Sequence, residues 1–112
     1  MARIRSIHPA ICTEMFRIRP RATFIYIAQE AEPGFSKIGL SKNPVWRLID
    51  LQVGNPRALS LHSIFEVSNR PAAMAVEVAV LAKFSAESLK GEWFHVSAET
   101  VANFIGGLDV ED

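Results

Sequence analysis

Four polar side chains stand in order along the chain, each inside a short apolar segment: Tyr26 in Phe24-Ile25-Tyr26-Ile27, Lys37 before Ile38-Gly39, Arg47 in Trp46-Arg47-Leu48 and Glu77 in Val76-Glu77-Val78. A polar group in such a segment ordinarily marks nothing beyond an exposed face. Together, a phenol, an ammonium, a guanidinium and a carboxylate supply what phosphodiester hydrolysis needs. The attacking water must lose a proton, charge on the phosphoryl oxygens must be neutralised, and the departing oxygen must be helped. A guanidinium fork suits bidentate recognition of phosphate. One carboxylate can hold a magnesium ion that keeps most of its waters and completes its shell with substrate phosphate. A phenol ionises near pH 10 in water and acts as phenolate only where metal and cations stabilise the anion.

Each residue also has a plainer reading. A strand tyrosine such as Tyr26 is commonly core with a satisfied hydroxyl, and Lys37 can be an edge-strand lysine laid along the surface. Arg47 can pair with Asp50 one helical turn away. Glu77 can pair with an arginine, accept from hydroxyls, or lie in a homodimer interface. The order of the four, followed by Gly91-Glu92-Trp93-Phe94, nevertheless resembles the GIY-YIG nuclease superfamily, in the branch named after a phage T5 open reading frame. In that branch the second motif commonly reads Lys-Ile-Gly, a helix carries the arginine, and a Gly-Glu-Trp-Phe-like segment follows the glutamate helix. The resemblance runs from Thr23 to Ile105.

That resemblance implies a magnesium- or manganese-dependent DNA endonuclease using one metal ion. Glu77 would be the metal ligand, Arg47 the clamp on the scissile phosphate, and Tyr26 and Lys37 the groups around the nucleophile. It also suggests a phage or mobile-element setting. Two departures stand against the pattern: Phe24 replaces the glycine that names the first motif, and Leu81 stands four residues after Glu77, where many members carry a histidine. None of His8, His62 or His95 can be assigned that role. Two other functions stay open: a catalytically inert nucleic-acid-binding module on the same scaffold, and an interaction protein that forms a homodimer through the apolar helix around Glu77.

Positioning these residues requires a small α+β fold, expected as a three-stranded, mostly antiparallel sheet flanked by helices. Residues 23–28 and 35–40 are apolar, β-branched and aromatic, with Glu-Pro-Gly between them, and read as a hairpin that puts Tyr26 and Lys37 on one face. Asn43-Pro44 reads as a helix start and Gly54-Asn55-Pro56 as its stop. In 59–67, Leu59, Leu61, Phe65 and Val67 alternate with Ser60, His62, Ile64 and Glu66, the pattern of a half-buried strand. Ser68-Asn69 caps a helix running to Phe84, in which Glu77 is the one charge from Pro71 through Ala82. Ser97 caps a last helix ending near Gly106-Gly107. Trp46, Trp93 and Phe94 are expected in the core, with Trp46 the best base-stacking candidate should it be exposed. Gly39 is expected to allow close packing.

The organisation expected is a basic N-terminal arm (1–22), a nuclease-like domain (23–106) and an acidic tail (107–112). Arg3 and Arg5 around Ile4 suit a strand edge as well as an arm lying on phosphates. A chain of 112 residues buries roughly two thirds of its unfolded surface, enough for a core without staples. Cys12 is the single cysteine, which excludes an intrachain disulfide and favours a reducing compartment. No apolar run approaches the roughly 20 residues needed to span a bilayer, and no signal-like segment opens the chain. The chain therefore reads as cytoplasmic and not membrane-bound. Net charge is zero but unevenly spread: residues 1–57 hold nine Lys or Arg against four Asp or Glu, and residues 58–112 hold three against eight. The N-terminal half is the side expected to face DNA.

Overall fold

β-Branched and aromatic residues are concentrated in Thr23–Glu30 and Leu59–Val67, the two longest strands, and the shorter Ser36–Ser41 pairs with the first of them through the hairpin. The computed structural model describes residues 4–7, 23–30, 34–89 and 93–108. In it β1 spans Ile4–Ile7, β2 Thr23–Glu30, β3 Ser36–Ser41, β4 Leu59–Val67 and β5 Trp93–Phe94. They form one sheet in the order β1-β4-β2-β3-β5, with every neighbouring pair antiparallel. The three expected strands are its centre. The sheet is nonetheless five-stranded, not three-stranded. β5 is two residues long, too short to show a periodicity, and it forms because β3 offers an open edge. β1 realises the strand reading at Ile4 and Arg5, while Arg3 and the rest of the expected arm, with His8 and Cys12, lie outside the described residues.

Three helices follow the expected capping signals: α1 Pro44–Val53, α2 Arg70–Lys83 and α3 Ala98–Gly106. Each is opened by a polar side chain that accepts from a first-turn N–H. Asn43 Oδ1 takes Trp46 N–H at 3.3 Å, Asn69 Oδ1 takes Ala72 N–H at 2.9 Å and Ser97 Oγ takes Thr100 N–H at 3.2 Å. These satisfy donors that a helix start otherwise leaves open. α1 gains a further tie at its exit. Gln52 donates through Nε2 to the carbonyls of Asn55 and Arg57 and accepts Leu59 N–H on Oε1 at 2.8 Å, fixing the connection into β4.

The sheet is covered unequally on its two faces. On one, Ile25, Ile27, Ile38, Phe65 and Val67 pack against Ala73, Val76 and Val80 of α2 and Val101 and Ile105 of α3. On the other, Ile7, Phe24 and Ile64 form a smaller cluster with Leu61 and with Val45 of α1. Tyr26, Lys37 and Gly39 belong to this second face, as the strand register requires.

One irregularity changes the expected pattern of β4. Ile27 is opposite Ser63 while Ala28 is opposite Leu61, so His62 is an extra, bulged residue. Each side of the bulge keeps its own alternation, and the two halves are out of phase. Leu59 and Leu61 therefore share a face with Ile64 and Glu66, and Phe65 and Val67 take the other. The single uninterrupted alternation expected from the sequence is corrected accordingly.

Candidate functional site

Tyr26 and Lys37 come together through the hairpin register. Tyr26 is opposite Gly39 and Ala28 is opposite Lys37, which makes the phenol and the ammonium diagonal neighbours on the α1 face. The tyrosine ring lies flat across β3. A methyl group placed on Gly39 would overlap the Tyr26 Oη, Cζ and Cε2 atoms. Gly39 therefore supplies the gap that lets this ring, 2% exposed, occupy its one position. The expectation of a close approach at Gly39 is thus met, and the approaching group is the phenol itself. Lys37 is half-buried, with Nζ 6.0 Å from the centre of the Trp93 ring directly across from it on β5, at the outer limit of a cation–π contact. Tyr26, Lys37 and Glu77 each make further interactions in the folded chain.

Arg47 is exposed on α1, the helix that lies over the Tyr26 face. The plain alternative of a pair with Asp50 is not formed: among the described residues the guanidinium makes no ion pair and no hydrogen bond. Lys42, just before the Asn43 cap, is exposed and equally uncommitted among the described residues. Trp46 is corrected from core to surface, at 68% exposed, because α1 turns Pro44, Val45 and Leu48 towards the sheet and leaves position 46 on the opposite side.

Glu77 comes from α2, whose buried residues Ala72, Ala73, Val76 and Val80 cover the other face of the sheet. The carboxylate is half-buried, at the border between that packed stripe and the exposed Met74 and Val78. The four residues thus divide between two elements groups: Tyr26, Lys37 and Arg47 on the α1 face, and Glu77 on the helix of the opposite layer. Leu81, at the position where a histidine was looked for, is half-buried and packs against the core. No proton carrier can act from that side chain.

Two histidines, His62 and His95, lie among the described residues. His62 is exposed at the bulge, with Nδ1 2.6 Å from Ser63 Oγ. His95 is exposed and stacks on Phe35 at 4.9 Å between centroids, 12° from parallel. No group of three or more His, Cys, Asp or Glu among the described residues could cage a metal ion. A donor set of one carboxylate fits a hard cation that retains its waters, such as magnesium or manganese, and not a thiolate- or imidazole-held ion such as structural zinc.

Glu66 is the polar residue on this face that sequence reasoning passed over. In a regular strand it belongs with His62 on a solvated side. After the bulge it is opposite Phe24 and Arg5 and only 6% exposed. Arg5 Nη2 donates to Glu66 Oε1 at 2.7 Å, tying the edge strand β1 to the sheet. No signal in the alternation could have found it, because its burial depends on β1 and β2 flanking it on the side opposite Phe65 and Val67.

No curated protein and no solved structure matches this chain. A family model does: the T5orf172 domain, over residues 23–108. That span holds the hairpin with Tyr26 and Lys37, the two helices bearing Arg47 and Glu77, and the closing helix, and the chain belongs to the T5orf172 domain family.

Proposed function

We propose that this protein is a GIY-YIG-like endonuclease that hydrolyses DNA phosphodiester bonds with one bound magnesium or manganese ion. The observation that carries the reading is Arg47, exposed and without an ion pair among the described residues, on the helix over the Tyr26–Lys37 face, with Gly39 opened for the Tyr26 ring. A guanidinium held by a rigid helix and paired with no carboxylate is ready for phosphate.

In this reading Arg47 binds two oxygens of the scissile phosphate. Tyr26 Oη accepts or relays the proton of the attacking water, and the Lys37 ammonium favours the phenolate and attracts the phosphate. The water oxygen bonds to phosphorus as the bond to the departing sugar oxygen breaks, and a proton returns to that oxygen. Glu77, at the half-buried border of α2, would hold the metal ion, and the reading requires the phosphate to lie where both that ion and Arg47 reach it; the ion would supply positive charge to the phosphoryl oxygens. The test is cleavage of supercoiled plasmid and of short single- and double-stranded DNA with either metal. Cleavage lost both in Glu77→Ala and under chelator supports the reading; cleavage and metal dependence that survive in Glu77→Ala reject the site.

Leu81 favours a second reading, a DNA-binding module that has lost catalysis, since a core leucine replaces a proton-carrying side chain. It calls for salt-sensitive DNA binding that chelator leaves unchanged, without cleavage in any metal. Exposure of Met74 and Val78 on α2 supports self-association through that helix, compatible with either reading and checked by sedimentation velocity at rising concentration.

A further inference from the structure

The largest aromatic side chain facing solvent is Trp46, 68% exposed on α1, and Ile49 at 60% and Val53 at 86% continue the same stripe at helical spacing. A shallow apolar hollow lined by Leu48, Ile49, Gln52 and Val53 adjoins it. From Trp46 to Val53 the stripe runs about 10 Å along the helix. Such a stripe in water is costly unless something covers it. Its border is cationic: Lys42 and Arg47 are exposed and make no ion pair among the described residues, and Asp50 is the one carboxylate of the helix.

Two features decide between occupants. Three side chains, even with an indole that buries at most about 250 Å², fall short of the roughly 800 Å² per partner of a stable protein interface. Two copies joined on this face would also bring Lys42 and Arg47 towards their own counterparts. A polyanion with flat apolar bases meets both the stripe and its rim.

We infer that Trp46 is a base-stacking residue. The indole lies against an unstacked nucleobase of DNA, Ile49 extends the apolar platform, and Lys42 and Arg47 hold the adjoining phosphates. This deepens the nuclease reading and rests on its choice of DNA as partner. It assigns a role in substrate engagement to the helix that delivers Arg47 to the site.

The test is fluorescence anisotropy with the full chain, in chelator so that no cleavage occurs, on labelled oligothymidylate and on a short duplex. Trp46→Ala is expected to weaken binding about ten- to a hundredfold without changing its dependence on salt. Trp46→Phe is expected to keep most of the affinity, and Trp46→Leu to lose as much as alanine, since leucine restores apolar area but no π face. Arg47→Ala should lower the salt slope by about one. Wild-type affinity in Trp46→Leu or Trp46→Ala overturns the stacking role while leaving the nuclease reading standing. A wild-type dimer in sedimentation that Trp46→Ala dissolves also overturns it, by giving the stripe to a second copy. Trp46-dependent binding without cleavage in any metal supports the stacking role and removes the nuclease. Absence of binding by the wild type at low salt rejects both.

Discussion

Tyr26 and Gly39 are best understood as one unit, because the ring of the first occupies the space where a side chain of the second would stand. Gly39→Ala is expected to cost about 1–3 kcal/mol through overpacking and to abolish cleavage, since the ring must leave its position. In a Tyr26→Ala background, itself costly because the buried ring is lost, Gly39→Ala is expected to cost almost nothing further, and a coupling near zero in the double-mutant cycle measured by urea unfolding would reject the unit. Arg47 calls for the opposite pattern. Because its side chain is exposed and unpaired among the described residues, Arg47→Ala should change stability by less than about 0.5 kcal/mol while removing cleavage. Arg47→Lys should fail to restore it if two oxygens of one phosphate are gripped. Cleavage by the lysine variant at the wild-type rate would show that charge alone is needed.

At the level of elements, the edge strand β1 and the caps of the helices govern how firmly the site is held. β1 is short, and its side-chain anchor is the pair between half-exposed Arg5 and buried Glu66. Removing Arg5 deprives a buried carboxylate of a charged partner, whereas removing Glu66 leaves an arginine that water can solvate. Arg5→Ala is accordingly expected to cost about 1–3 kcal/mol and to raise amide exchange in β1 and the facing end of β4. Arg5→Ala combined with Glu66→Gln should recover part of the loss, and no recovery would show that the charge on Glu66 is not what makes the single variant costly. Asn69→Ala should lower stability by about 1 kcal/mol, read by thermal unfolding, since its side chain accepts from Ala72 N–H at the start of the helix that carries Glu77.

Taken whole, the molecule places its two helical layers on opposite sides of one antiparallel sheet, with Arg47 on α1 and Glu77 on α2 between the terminal cations Arg70 and Lys83. No described helix is long and apolar enough to cross a membrane. Zero net charge conceals an uneven spread along the sequence, and in the proposed reading DNA would be met by α1 with Lys42 and Arg47. Binding should fall steeply with salt, with a log–log slope that reports the phosphates contacted. A flat salt dependence would remove DNA as the partner, whatever the nuclease assay returns.

Local chemistry determined much of this protein from sequence. The hairpin, the caps at Asn43, Asn69 and Ser97 and the shared face of Tyr26 and Lys37 each depend on residues near one another in the chain or paired across one turn. Their physics is that of N–H groups needing acceptors and of side chains alternating across a strand. Tertiary structure decided what depends on distant pairing. The bulge at His62 arises from how β2 meets β4 and brings Leu59 and Leu61 onto the face of Ile64 and Glu66, while Glu66 is buried because β1 and β2 flank it on a face that the alternation leaves to solvent. The exposure of Trp46 follows from which side of α1 finds the sheet, and β5 exists because an open edge of β3 was there to be paired. A sequence specifies the apolar surface to be buried and the donors to be satisfied. Only the assembled fold selects which faces meet, because that choice is made by contacts between segments far apart in the chain.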